Sequence, residues 1–319
     1  MFSAFDSLGI DLSSPTIVHV HDPSLLPVAG KIKQKIPGVK LVYDRHEVFE
    51  RSARIWGVNI PKVGRVMEKI STKKVDGVVV ISNDYADVVK SMFQNSLITV
   101  VQNFPSNGGY SPEDISSKIH NIQSGSIVNL VYVGSLNHDY DRDIDLILRI
   151  ASDVLSRYQD TQFFIGGQTT SASLLEQFKR LSNQYHGRFH YLGYITRREV
   201  ISVTQAAHIG FFLLKPDTSY WVKCSPNKVF EYLRCGVIPV VRADCDYAHE
   251  LTECAMIFER SSDDFEIIEG VRMLIEQPSM LKSMMEKAHT QSHKFSFEGV
   301  AKNYLDLYNN LLKNEFSAV

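Results

Sequence analysis

The stretch CSPNKVFEYLRCGVIPVV, residues 224–241, decides the fold. Ser225 can cap a helix with its hydroxyl, and Pro226 then takes the first helical position, where a fixed φ and a missing N–H cost nothing. Val229, Phe230 and Leu233 recur at helical spacing and face a core. Gly236 falls just past the last helical residue, where a left-handed C-cap favours glycine. The apolar run from Val237 to Val241 is long enough for a buried parallel strand. A capped helix feeding such a strand is one step of an α/β alternation.

The polar residues of that helix carry the chemistry. Ser225, Asn227 and the first N–H groups make its N-terminus an anion site at the positive end of the helix dipole. Lys228 adds a positive charge there, which disfavours the helix alone but suits a bound phosphate. Glu231, one turn on, offers two acceptor oxygens to a ribose diol. The plainer alternative is that Lys228 and Glu231, three residues apart, form a surface ion pair worth a few tenths of a kcal/mol.

Outside this stretch, strands are expected near 16–20, 39–43, 77–81, 97–101, 127–133, 162–165, 189–192, 208–214 and 255–259, with helical patterns between them. Such alternation implies doubly wound parallel sheets, whose ligands bind beyond the carboxyl ends of strands. His21 and Asp22 follow the first strand; Asp44, His46 and Glu47 follow the second. Each histidine can equally satisfy a loop carbonyl. The segment 51–74 is basic, with Arg51, Arg54, Lys62, Arg65, Lys69, Lys73 and Lys74 against Glu68, and Val63, Val66, Met67 and Ile70 fall at helical spacing among them. A basic amphipathic helix can lie on an anionic membrane. A solvated helix face is the favoured reading, because those apolar positions are the ones a core would need. Residues 106–126 lose periodicity and fill with Ser, Asn, Gly and Pro, as a linker does.

Gly134 and Ser135 follow the strand that opens the second half, where small residues let backbone approach a ligand. Arg142 is read as the start of the next helix; its guanidinium suits phosphate oxygens, or an ion pair with Asp139, Asp141 or Asp145. The alternation of Asp141, Asp143 and Asp145 invites a metal reading, but acidic residues at a helix N-terminus need no metal, and none is assigned. Tyr220 and Trp221 can cover a base or sugar, or pack beneath their loop. No GxGxxG follows any strand, which disfavours a dinucleotide-dependent dehydrogenase.

The segment SPNKVFEYLRCGVIPVV resembles the donor-binding helix of retaining, nucleotide-sugar-dependent glycosyltransferases of the GT-B fold, glycosyltransferase family 4 type. The runs VVQNFP (100–105), VGSL followed by RDIDLIL (133–136 and 142–148), and the pair HD with DRHE (21–22 and 44–47) resemble the same family. The resemblance implies two Rossmann-like domains facing a cleft: residues 1–105 on the acceptor side, a linker at 106–126, a donor domain at 127–296, and a helix from 297 crossing back. It implies that Glu231 holds the donor ribose and that Arg142 and Lys228 grip the diphosphate, which Gly134, Ser135, Ser225, Pro226 and Asn227 surround. His46 lies near the transferred sugar, with His21, Asp22, Asp44 and Glu47 on the sugar or acceptor side. No resident cofactor is implied; a UDP- or GDP-linked sugar is the co-substrate. The acceptor is a saccharide, lipid-linked molecule or protein in polysaccharide or glycoconjugate synthesis, and transfer needs no metal. At the family's second, sugar-side glutamate this chain has Lys223, a charge reversal. The family's leading strands and glycine-rich loop are not visible before residue 17, so the first domain is expected to be shortened, with an uncovered edge open to a partner. A non-catalytic homologue serving as a sugar-nucleotide-binding or partner subunit is the alternative.

The 319 residues suffice for two domains, and 44% hydrophobic with 22% charged residues is ordinary globular composition. A net charge of −2 gives no general attraction to nucleic acid. No apolar run approaches the roughly 20 residues that span a bilayer, and Met1 to Ser14 has Asp6 and Asp11 but no basic leader region. Cys224, Cys235, Cys245 and Cys254 match no zinc spacing and are read as reduced thiols, with the cytoplasm, or the inner face of a membrane, as the address.

Overall fold

The computed structural model describes residues 16–45, 60–136, 141–216, 226–243 and 248–313. The chain forms two compact units, Met1–Gln102 with Val300–Val319 and Asn103–Gly299.

In the first unit, β1 (Ile17–Val20), β2 (Lys40–Arg45), β3 (Gly77–Val80) and β4 (Leu97–Val100) pair in parallel in the order β1-β2-β3-β4. Helices α1 (Leu26–Lys35), α2 (Ile60–Ser71) and α3 (Asn83–Lys90) are the crossovers. Val42, Val79 and Val101 pack against Leu307 and Leu311 of the chain's last helix, so the unit closes only when the C-terminus returns to it. Gly77 belongs to that closure, because a Cβ there would sit 3.1 Å from both leucines. Along β2, Leu41, Val42 and Tyr43 are wholly buried, as in a parallel sheet covered on both faces. Arg45 at its end is also buried, and its Nε donates to Glu68 of α2 at 2.7 Å, while the Tyr43 hydroxyl donates to the same carboxylate at 2.9 Å.

The second unit begins with α4 (Pro112–His120) and continues through β5 (Val128–Val133), α5 (Ile144–Arg157), β6 (Thr161–Gly166), α6 (Ala172–Gln184), β7 (Phe189–Gly193), α7 (Arg197–Ala206), β8 (Ile209–Leu213), α8 (Asn227–Arg234), β9 (Ile238–Arg242) and β10 (Met256–Phe258). Helices α9 (Asp264–Glu276), α10 (Pro278–Gln291) and α11 (Phe297–Lys313) end the chain. Its six parallel strands run β10-β9-β8-β5-β6-β7, so the winding reverses between β5 and β8. That is the dinucleotide-fold order, with its crevice at the reversal. One core cluster contains Leu130, Ile147, Phe163, Phe211 and Val240, and others form around Phe212, Phe230 and Leu233 and around Val131, Tyr232 and Val237.

Several sequence expectations need correction. The stretch read as a linker holds α4: Ser111 caps it, and Ile115 and Ile119 are buried in the second unit's core. Lys118 of α4 donates to the carbonyls of Ala207 at 2.6 Å and Cys235 at 2.8 Å, and burial lowers its pKa to about 7. Arg142 does not start α5; Asp143 is the N-cap, and Arg142 instead pairs in an isolated antiparallel bridge with Leu214. Pro226 is the N-cap of α8 rather than its first helical residue, and Ser225 lies outside the described residues. Asp44 falls within β2, buried, rather than after it. Finally, α2 turns the opposite way from the expectation: Gly64, Glu68 and Ser71 are buried, whereas Val63, Val66 and Ile70 are 45%, 55% and 60% exposed.

Candidate functional site

The site is built where the second sheet reverses. Beyond β5 the chain passes Gly134 and Ser135, and at 141–143 it lies along the end of β8. The N–H of Asp143 donates to Leu213 O at 2.9 Å, and that of Lys215 to Asp141 O at 2.8 Å. This stitching holds Arg142 over the ring of Phe212, 4.4 Å from guanidinium carbon to centroid. Its partner is Asp141, at 2.5 Å. The local ion pair of the plainer sequence reading is therefore present, and a phosphate has to compete with it or bind beside it.

From the other side comes α8. Val229, Phe230 and Leu233 are buried as the spacing requires, and Gly236 has φ +61°, the left-handed cap. Anchoring that face turns Lys228 toward β5, where its Nζ donates to Val133 O and lies 5.5 Å from the Tyr132 ring. A Cβ on Gly134 would come within 2.8 Å of that Nζ. Burial, and then the positive charge of Arg142, lower the Lys228 pKa to about 8, partly offset by Glu231. The two cations thus sense each other across the reversal. An anion placed there relieves their repulsion.

Glycine sets how closely the strand ends approach. Gly167 has φ +147°, and a Cβ on it would fall 2.0 Å from Gly134 O. The Gly134 N–H donates to Gly166 O at 2.9 Å, and the Tyr132 hydroxyl fixes the next turn by donating to Ser135 O at 2.8 Å. Gly167 was not singled out from the sequence, although a Gly-Gly pair ending a strand is the signal that marks it.

Glu231 is held by Arg197, Nη1 to Oε1 at 2.5 Å, rather than by Lys228. Arg197 is the first residue of α7, placed by the Thr196–Glu199 capping box. It too was missed: an arginine beside a capping box carries no signal of a partner thirty-four residues away. Asn227 is exposed at the start of α8. Lys223, Tyr220 and Trp221 lie outside the described residues. So the structure brings Gly134, Ser135, Arg142, Pro226, Asn227, Lys228 and Glu231 to one end of one sheet.

Two of the three alternating aspartates are engaged within the protein. Asp143 caps α5 by accepting from the Leu146 N–H at 3.0 Å and pairs with buried Arg242, and Asp141 pairs with Arg142.

In the first unit, Asp22 accepts from the Ser24 N–H at 2.7 Å as the cap of a short 3-10 turn. His21 Nδ1 lies 3.3 Å from Asp44 Oδ2, at the carboxyl ends of β1 and β2. His46 and Glu47 lie outside the described residues.

No protein-family model matches the chain, and no curated protein matches it. Solved structures do. Sucrose-phosphate synthase from Thermosynechococcus elongatus superposes with a TM-score of 0.72 at 14% identity, covering 98% of this chain and 77% of that one. TarM from S. aureus, in a complex with fondaparinux, alpha-GlcNAc-glycerol and UDP, gives 0.70 at 13%, covering 96% of this chain and 58% of TarM. Anabaena HepE, in complex with UDP-glucose, gives 0.60 at 16%, covering 94% and 78%. The chain thus spans less than two thirds of TarM's length. At these identities the likeness establishes the fold, which is that of GT-B glycosyltransferases.

Proposed function

We propose that the chain is a retaining glycosyltransferase of the family 4 type, moving a sugar from a UDP- or GDP-linked donor to an acceptor hydroxyl in polysaccharide or glycoconjugate synthesis. The observation that carries this reading is the convergence of Arg142 and Lys228 on the glycine-lined end of β5, at the sheet reversal. Two cations can neutralise the charge that develops on a leaving diphosphate. In the transfer, the bond from the sugar's anomeric carbon to diphosphate oxygen breaks as the acceptor oxygen attacks from the same face. The acceptor proton passes to the departing diphosphate, so no protein nucleophile is needed. Glu231 takes the ribose hydroxyls, exchanging its bond to Arg197 for them. His46 attends the sugar, and His21, Asp22, Asp44 and Glu47 belong to the sugar or acceptor side.

Glu231→Gln tests the donor assignment. It removes a charged acceptor from the ribose and should weaken binding of a nucleoside diphosphate sugar by about 1.5–3 kcal/mol in calorimetry. Ligand-free stability should barely move, because the Arg197 partner is exposed and such pairs contribute little. Equal donor affinity in the variant would remove Glu231 from the site. Tight donor binding without turnover for any acceptor would instead favour the non-catalytic partner subunit.

Peripheral membrane contact through α2 is proposed with it, which would suit a lipid-linked acceptor. Val63, Val66 and Ile70 form an exposed apolar stripe, and exposed Lys62, Arg65 and Lys69 flank it. An apolar stripe edged by cations suits an anionic bilayer surface. Val66→Glu should abolish co-sedimentation with vesicles containing phosphatidylserine while leaving donor affinity intact. Undiminished sedimentation would locate any membrane contact elsewhere. No described helix is long and apolar enough to cross a membrane.

A further inference from the structure

The first unit carries a second constellation, and it comes from a strand pattern. His19 and His21 are two apart at the end of β1, so their side chains leave the same face of the sheet. Their rings stack, centroids 4.6 Å apart at 15°, so the exposed ring of His21 has to turn out of the stack before both nitrogens can face one ion. In the parallel register Val20 stands opposite Tyr43, and one residue further sets His21 opposite Asp44. His21 Nδ1 and His19 Nε2 lie 3.3 and 3.7 Å from the same oxygen, Asp44 Oδ2. One ligand atom from each of the three residues falls within 4.8 Å of the others.

Those spacings are informative. Metal–nitrogen and metal–oxygen bonds of about 2.0–2.1 Å at tetrahedral angles place neighbouring ligand atoms about 3.3 Å apart, which the His21–Asp44 pair meets at 3.3 Å and the His19–Asp44 pair exceeds at 3.7 Å. A hydrogen bond would need the His19 nitrogen and the carboxylate about half an ångström closer. His19 Nε2 is buried and has no hydrogen-bond partner, in a site where its neighbour is a carboxylate. A buried nitrogen left so costs free energy, which a cation between the nitrogen and the carboxylate recovers.

The surrounding groups have the roles that outer partners have at metal sites. His19 Nδ1 is 2.5 Å from the hydroxyl of Tyr308, which fixes the ring and leaves Nε2 to face Asp44. The Tyr304 hydroxyl donates to Asp44 Oδ2 at 2.8 Å. Both tyrosines come from α11, one turn apart, so the helix that closes the unit also orients the cluster.

We propose that His19, His21 and Asp44 hold one divalent ion of the zinc class. Two imidazoles and one carboxylate suit zinc and its first-row neighbours, whereas magnesium and calcium prefer oxygen alone. Three protein ligands leave a coordination position for a hydroxyl or phosphate oxygen, on the side where His21 is 62% exposed. The site belongs to the first unit, and its residues are separate from Arg142 and Lys228 of the second, so it adds to the diphosphate site and does not replace it.

The test is titration of the chelator-stripped full chain with zinc chloride, in competition with a chromogenic chelator. One zinc per chain is expected. His21→Ala removes an exposed ligand without disturbing the core and should weaken binding at least tenfold; Tyr308→Phe should weaken it about 10–100-fold, as loss of an outer partner does. His249→Ala, at an exposed histidine beside Glu250, should leave it unchanged. Absence of stoichiometric binding, or His21→Ala binding zinc as tightly as the parent chain, overturns the proposal. So does an equal loss in His249→Ala, since binding would then be diffuse. Donor binding is not the readout, so failure here leaves the glycosyltransferase reading standing.

Discussion

Lys228 is the residue whose chemistry the structure makes most quantitative. Its pKa is lowered to about 8 by burial and by Arg142, so at pH 7 the free protein holds it mostly charged, and at pH 9 mostly neutral. A bound diphosphate favours the charged form and raises that pKa toward or above its ordinary value of about 10.4. The sign follows: donor affinity is nearly flat below pH 7 and declines as pH rises through 8, because binding must then also take up a proton. With a free-state pKa of about 8, the charged fraction falls from roughly nine-tenths at pH 7 to roughly one-tenth at pH 9. Affinity should therefore drop about tenfold, or about 1.4 kcal/mol. Calorimetry with a nucleoside diphosphate sugar, whose phosphates do not titrate in this range, measures it directly. Lys228→Met should bind more weakly at pH 7 and show a flat profile to pH 9. A flat profile in the parent chain, or an equal slope in the methionine variant, would refute the assignment of this lysine to the diphosphate.

Other perturbations separate the remaining parts of the site. Donor affinity should survive EDTA, and Arg142→Ala should weaken it with or without magnesium; complete loss of donor binding on chelation that manganese restores would contradict a diphosphate site neutralised by side chains alone. Gly167→Ala should destabilise the second unit by about 2–4 kcal/mol, since the backbone is strained for an L side chain and the new methyl would strike Gly134 O. Donor affinity should fall with it, because the Gly134 turn has to shift; a variant with unchanged unfolding midpoint and affinity would mean that the two strand ends are not as close as described.

What was legible from the sequence, and what was not, divides along one line. The α8–β9 segment could be read because each of its signals is local. Gly236, with φ +61°, and the buried face of Val229, Phe230 and Leu233 are set by residues within two helical turns. The same is true of β2, β3, β8 and β9, whose apolar runs lie buried in parallel sheets. Apart from one-residue shifts at Pro226 and Asp44, the failures are places where a distant partner decides. The 106–126 stretch looks like a linker by composition, yet Lys118 is drawn in by carbonyls at Ala207 and Cys235, far along the chain. Glu231 is engaged by Arg197 across helices, not by the lysine one turn away.

Helix α2 is the sharpest of these cases, and it bears on function. Its pattern has an apolar and a polar face, and burying the apolar one is the default. The default loses because β2 ends in Arg45, whose side chain is fully buried. An uncompensated buried guanidinium costs about 3–5 kcal/mol, which offsets the further burial of three aliphatic side chains that are already about half covered. Glu68 is the carboxylate that α2 supplies, and it can reach Arg45 only if its own face turns inward, with Gly64 and Ser71 beside it. Val63, Val66 and Ile70 are then driven outward together with the basic residues. The electrostatics of one buried pair thereby produces an exposed apolar and cationic helix face, the surface on which the membrane reading rests.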